Sequence, residues 1–240
     1  MSRIEITNMT YAYMKGVTVL DGISLGVMEH ESVGLVGANG AGKSTLLKIL
    51  VGLNPGFSGS VKIDGLPVEK NPLPKIRQKI GYVFQDADSQ LFMTTVSEDV
   101  AFGPRNYGLP ESEVAARTNA ALQMTGITHI KDRPIMRLSG GEKKLAQIAT
   151  ILSMEPEILL LDEPSIALDP RNRRNIINIL NNIQATKIIA SHDLDMIMDT
   201  CSRTVLMAGG RIIADGPTEK ILRDKDLLEA NSLELPLRLQ

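Results

Sequence analysis

The chain has 240 residues, 43% hydrophobic and 22% charged, which fits one folded domain or one domain carrying a subdomain. A net charge of −2 and a pI near 6.0 leave no basic stripe, so nucleic acid is not expected as a main partner. The single cysteine, Cys201, excludes an internal disulfide framework and makes a cytosolic setting the expectation, while MSRIEITNMTYAY lacks the apolar core of a signal peptide and "LLKILVGL" and "ILLL" fall far short of the roughly 20 residues needed to span a bilayer.

In chain order, strands and helices alternate, which predicts an α/β fold with a mostly parallel sheet. "SVGLVG" (32–37) is a short apolar strand running into a glycine-rich turn, followed by a helix from about Lys43 to Val51. "SGSVKIDG" (58–65) and "IGYVFQ" (80–85) are further strands. Beyond Asp86 the character changes. "ESEVAARTNAALQMTG" (111–126) is rich in helix formers and stops at Gly126, and a second helix runs from Ser139 to about Met154. This segment reads as a helical insert between two parts of an α/β core. "EILLLDEP" (157–164) and "TKIIASHD" (186–193) are nearly uninterrupted apolar runs, as central parallel strands buried on both faces require. "RTVLMAGGRIIADG" (203–216) predicts a hairpin through Gly209-Gly210, and the rest is a mixed helical tail. The expected organisation is one domain over 1–220, with a core of about 1–86 and 155–220, a helical subdomain of about 87–154, and a tail over 221–240.

"GANGAGKST" comprises Gly37, Ala38, Asn39, Gly40, Ala41, Gly42, Lys43, Ser44 and Thr45, and matches G-x-x-x-x-G-K-[ST]. Its glycines let backbone N–H groups approach phosphates, Lys43 reaches the β- and γ-phosphates, and the Ser44 hydroxyl suits Mg²⁺. A chance glycine turn is the bland alternative. It would not place the loop between a strand and a helix, as here. Asp162 and Glu163 end a buried strand: Asp162 is placed to hold Mg²⁺ through water, and Glu163 to act as general base on the attacking water. Alone, they would read as solvated charges at a strand end.

"RLSGGEKK" (137–144) is a second anion-suited element. Ser139 can N-cap a helix, Glu142 completes a capping box, and Gly140 and Gly141 leave backbone N–H groups uncovered. With the phosphate loop and "DEP", this stretch makes nearly the whole chain resemble an ABC-type ATPase. The resemblance implies a phosphate-loop NTPase core with the inserted helical subdomain and a small antiparallel β part at the N-terminal side. It also implies two subunits packed head to tail, with the loop of one and the "LSGG" of the other holding the same ATP. One chain then carries two separated half-sites.

The same resemblance assigns further positions one at a time. Tyr13 resembles the aromatic that stacks on adenine, with Tyr11 as its rival. Gln85 resembles the glutamine that touches Mg²⁺ and the water; its bland alternative is a surface amide. Asp169 resembles the aspartate that crosses the dimer interface, and it also suits a helix cap before Pro170. His192 resembles the histidine that contacts the γ-phosphate, whereas His30 and His129 are expected on the surface. Leu145 stands where many relatives have arginine, and Ile166 is bulky where a small residue is usual before Ala167-Leu168-Asp169.

"FQDADSQLFMTTVSEDVAFGPRNYGL" (84–109) is similar to the energy-coupling factor (ECF) branch of ABC importers. That resemblance implies a peripheral ATPase on the cytoplasmic face of the cell membrane. Its partners would be a second ATPase subunit, identical or related, a transmembrane coupling protein and a small substrate-binding membrane protein. The substrate would be cobalt, nickel or a vitamin. Leu91, Phe92, Met93 and the helix after Thr95 could form an apolar groove for a partner helix, or could simply close the subdomain core. Two other readings are a soluble ABC ATPase serving a cytosolic assembly such as an iron–sulfur scaffold, and a nucleotide-binding module without turnover. The ECF-like stretch counts against the first; Lys43, Glu163 and His192 together count against the second.

Overall fold

The computed structural model describes residues 2–14, 16–166 and 168–240; Ala167, in the run after Ile166, lies outside the described residues. The chain runs β1 (Ser2–Met14), β2 (Val17–Met28), β3 (Ser32–Val36), α1 (Lys43–Leu50), β4 (Ser58–Ile63), β5 (Leu66–Pro67), α2 (Leu73–Lys79) and β6 (Ile80–Val83). It continues through α3 (Val96–Asn106), α4 (Glu111–Met124), α5 (Gly140–Leu152), β7 (Ile158–Asp162), α6 (Pro170–Asn182), β8 (Thr186–Ala190), α7 (Leu194–Thr200), β9 (Arg203–Ala208), β10 (Arg211–Pro217), α8 (Thr218–Leu222) and α9 (Lys225–Ala230).

The strands form two sheets. One has the order β10-β9-β3-β8-β7-β6, in which β9 to β6 are parallel neighbours and β10 is an antiparallel edge strand. The other, β2-β1-β4-β5, is antiparallel. The parallel reading of the sequence therefore holds for the central strands, while the 58–65 strand joins the antiparallel sheet.

Every residue of β7 and β8 is buried. Side chains alternate across a strand, so the two faces feed two cores. Ile158, Leu160 and Ile188 join Ile4, Leu20, Val33, Leu46 and Leu50 between the sheets around α1. Leu159, Leu161 and Ile189 face the other way and pack with Val100, Leu122, Ile148, Ile176 and Ile197 from the helical layer. Because β3, β7 and β8 run parallel, their C-terminal ends lie on one edge, and the loops leaving that edge carry the polar residues described next.

Local chemistry starts the helices where the polar residues need them. α3 and α5 each begin with a complete capping box, Thr95 with Glu98 and Ser139 with Glu142. α6 begins with Asp169 as N-cap and Pro170 in its first turn, a pairing whose missing proline N–H costs nothing.

Candidate functional site

The turn after β3 is held by glycine geometry. Gly42 has φ of 101° and precedes α1, and a Cβ there would stand 2.5 Å from Leu20 Cδ2. Gly37, at φ 153°, would drive a Cβ to within 2.2 Å of the Met207 carbonyl oxygen. Only glycine fits either place. The turn curls around Lys43, whose Nζ donates to the carbonyls of Gly37 at 2.6 Å and Ala38 at 3.3 Å. Burial lowers the Lys43 amine below its usual range, against the opposing pull of the Glu163 and Asp162 carboxylates.

Ser44 Oγ donates to Asp162 Oδ1 at 2.9 Å, joining the start of α1 to the end of β7. The Tyr82 hydroxyl donates to Asp162 Oδ2 at 3.2 Å. Burial, then the neighbouring Asp162 carboxylate, push the Tyr82 phenol far above its usual range, so it stays a proton donor to that carboxylate.

Glu163 follows with φ of 51°, a left-handed conformation that a non-glycine residue occupies at a cost of about 1–3 kcal/mol. Its amide donates to the Ala190 carbonyl at 2.8 Å, and its carboxylate is turned inward, 5% exposed. Oε2 accepts from Ser191 Oγ and from the His192 amide, both at 3.2 Å, and lies 2.8 Å from His192 Nδ1. The histidine side chain is 58% exposed, so the ring beyond Nδ1 is open to solvent.

Gln85 is exposed, and it lines a cleft of about 570 Å³ together with Ser44, Asp162, Gly140, Lys144 and Ile166. Ser139 faces elsewhere. It lines a separate cavity of about 670 Å³ with Asp169, Leu145 and Asn172. Asp169 accepts from the Arg171 and Asn172 amides, each at 2.9 Å, and hydrogen bonding holds its carboxyl below the usual range. A Cβ on Gly141 would come within 2.8 Å of Asn172 Nδ2, so α5 and α6 meet closely at this point. The chain thus brings Lys43, Ser44, Asp162, Glu163 and His192 together, and sets Ser139 with Asp169 apart from them.

The two N-terminal tyrosines separate. Tyr11 is buried and Tyr13 is 55% exposed, their rings meeting edge to face at 5.1 Å. The Tyr13 hydroxyl lies 3.1 Å from Thr45 Oγ1, beside the phosphate loop, and accepts from Asn54 Nδ2. His30 and His129 are exposed, as expected.

Three residues at this site were not singled out from the sequence. Lys144 donates to the carbonyls of Phe84 at 3.2 Å and Gln85 at 2.9 Å, Gln147 Nε2 donates to the Phe84 carbonyl at 2.8 Å, and Gln90 Oε1 accepts from the Phe84 amide at 3.2 Å. Burial lowers the Lys144 amine to about 8. A signal existed: Lys144 and Gln147 are three apart and share one face of a mainly apolar helix.

Among the described residues no group of three or more His, Cys, Asp or Glu side chains could hold a metal alone. Ser44 and Asp162 offer adjacent oxygen donors with Gln85 in the same cleft, a set that fits a hard cation sharing its shell with phosphate oxygens and water. No described helix is long and apolar enough to cross a membrane.

A glycine loop between strand and helix, a buried lysine, an aspartate hydrogen-bonded to the loop serine and a glutamate–histidine pair define a phosphate-loop ATPase. The ABC transporter family matches residues 20–166. An ABC transporter ATP-binding protein of Geobacter sulfurreducens is 49% identical over 237 residues, covering 99% of this chain and 95% of its own length. The energy-coupling factor transporter ATP-binding protein EcfA of Methanothermobacter thermautotrophicus is 45% identical, covering 97% of this chain and 76% of its own. The structure of CbiO1 from Clostridium perfringens, described as part of the ABC transporter complex cbiONQ, superposes with a TM-score of 0.85 at 37% identity, covering 95% of this chain and 94% of its own. The chain belongs to the ABC transporter family, as an ATP-hydrolysing subunit of the energy-coupling factor type.

Proposed function

We propose that two such subunits close head to tail on ATP and Mg²⁺ and thereby drive a membrane partner to import a transition-metal ion, cobalt or nickel, or a vitamin. The observation that carries this reading is the division of the polar residues into two groups on one chain. Lys43, Ser44, Asp162, Glu163 and His192 form one, and Ser139 with Asp169 forms the other on a separate cavity. Gly140, beside Ser139, lines the cleft of the first group, and an isologous pairing would let each group complete the other twice.

Within the shared site each residue of this chain has a defined task. The backbone from Gly37 to Thr45 cradles the phosphates, and Lys43 turns from the loop carbonyls to the β- and γ-phosphates. Tyr13, the exposed member of the tyrosine pair, stacks on adenine. Ser44 and Gln85 would ligate Mg²⁺, with Asp162 holding it through water, and the cation would neutralise developing phosphate charge. Glu163 accepts the proton of the attacking water, and His192, hydrogen-bonded to it, orients it and reaches the γ-phosphate. Ser139, Gly140 and Gly141 present the start of α5 to the partner's nucleotide, and Asp169 crosses the interface.

A docking face for a transmembrane coupling protein is supported by an exposed aromatic pair. Phe92 and Phe102 are 64% and 41% exposed and meet edge to face at 4.8 Å, while the buried carboxylate of Asp99 accepts from the Phe92 and Met93 amides and fixes that turn. Leu91 is buried and closes the subdomain core instead. The subunit then works as a peripheral protein on the cytoplasmic face, beside the coupling protein and a small substrate-binding membrane protein. The test is a pull-down from gently solubilised native membranes with partners identified by mass spectrometry. A multi-spanning protein with a small membrane protein is expected, and the latter then fixes which ligand to assay. Recovery of soluble partners alone sinks the import role and leaves the ATPase.

A further inference from the structure

We infer that Lys144 is a positioning residue for hydrolysis, holding the backbone of Gln85 so that its side chain stands beside Ser44 and Asp162 only when α5 is in place. The inference rests on the metal role proposed above for Gln85.

A lysine is almost never fully buried unless it is paired with a carboxylate. Lys144 is 3% exposed, and its hydrogen-bond partners are two carbonyls of the segment leaving β6, those of Phe84 and Gln85. Asp162, Asp86 and Glu163 ease the charge only without direct contact, so burying this amine on two carbonyls is costly and poorly explained by stability alone. Nor is the lysine needed to pin Phe84. Gln147 Nε2 already donates to that carbonyl, and Gln90 Oε1 already accepts from the Phe84 amide. The contact that Lys144 alone supplies is the one to the Gln85 carbonyl, at 2.9 Å.

The neighbouring lysine acts on the same segment from outside: Lys143 pairs with Asp88 at 2.5 Å, though the aspartate side chain is 66% exposed and such a pair holds weakly. Both lysines lie within the first turns of the helix that Ser139 caps. A shift of that helix therefore moves Gln85 relative to the cleft it shares with Ser44 and Asp162. Gln147 and Lys144 both tie α5 to the segment leaving β6, and among the described residues the tie to Gln85 itself runs through the Lys144 amine.

A double-mutant cycle on the full-length chain tests this, using steady-state ATPase kinetics for wild type, Lys144→Met, Gln85→Ala and the double variant. Lys144→Met is expected to lower kcat about 10-fold or more with KM for ATP changed less than about 2-fold, because the phosphate loop is untouched. In the Gln85→Ala background the same substitution is expected to cost less than about 2-fold, since the lysine acts through that residue. Should Lys144→Met fail to fold, Lys144→Gln takes its place in the same cycle under the same criteria. Unchanged kcat on losing the lysine, or losses that multiply in the double variant, overturn the inference while leaving the Gln85 reading intact. A Gln85→Ala variant with wild-type turnover overturns that reading first, and the inference with it.

Discussion

Glu163 combines three features that rarely coincide in one residue. Its backbone is left-handed, its carboxylate is almost fully buried, and three groups of the next loop converge on one of its oxygens. The hydrogen bond from its amide to the Ala190 carbonyl helps hold the strained backbone, and the carboxylate meets the His192 ring. Glu163→Gln keeps the shape and the hydrogen-bonding capacity while removing the basicity. Turnover is therefore expected to fall about 100-fold or more, with ATP still bound and a stable ATP-dependent dimer accumulating in size-exclusion chromatography. Turnover within a few-fold of wild type would show that another group takes the proton.

At the scale of single elements, α3 and α5 make a natural control for each other. Each opens with a capping box, so Thr95→Ala and Ser139→Ala are each expected to cost about 1 kcal/mol of stability, read as similar downward shifts in thermal melting. Only Ser139 lines the cavity shared with Asp169. Ser139→Ala should accordingly also lower kcat, whereas Thr95→Ala should leave it within about 2-fold. Equal kinetic effects from the two would mean that the serine acts through the helix alone. This pair also marks what could be read from sequence. The Ser139 capping box, the glycine loop and the two buried strands are local patterns, set by neighbours within a few residues, and were read from the sequence; the Thr95 capping box has the same spacing but went unread. The grip of Lys144 on Gln85 joins residues 59 apart, and no local pattern specifies it. Tyr11 and Tyr13 show a subtler limit. Strict alternation would put both on one face, but the β1–β2 register shifts around Tyr11, Ala12 and Met14, so one ring is buried and the other is not.

Across the whole molecule, the order of the chain separates the two groups of polar residues. The parallel strands collect Lys43, Asp162, Glu163 and His192 at one edge, whereas Ser139 and Asp169 cap helices that meet at Asn172. A site closed within one chain and a site shared between two make opposite forecasts for mixing defective subunits. Lys43→Ala disables the loop half-site and Ser139→Arg disables the helix half-site, so each variant alone is expected to lack turnover. In a mixed dimer one composite site carries both defects. The other carries neither, because it takes its loop from the Ser139→Arg chain and its helix start from the Lys43→Ala chain. Random pairing makes about half of all dimers mixed, each with one working site of two, so about a quarter of wild-type activity should return if the sites act independently. The measurement is ATPase activity of the two purified variants separately and after co-refolding or co-expression in equal amounts. Activity that stays at the level of the separate variants would mean that the nucleotide is not shared between copies of this chain.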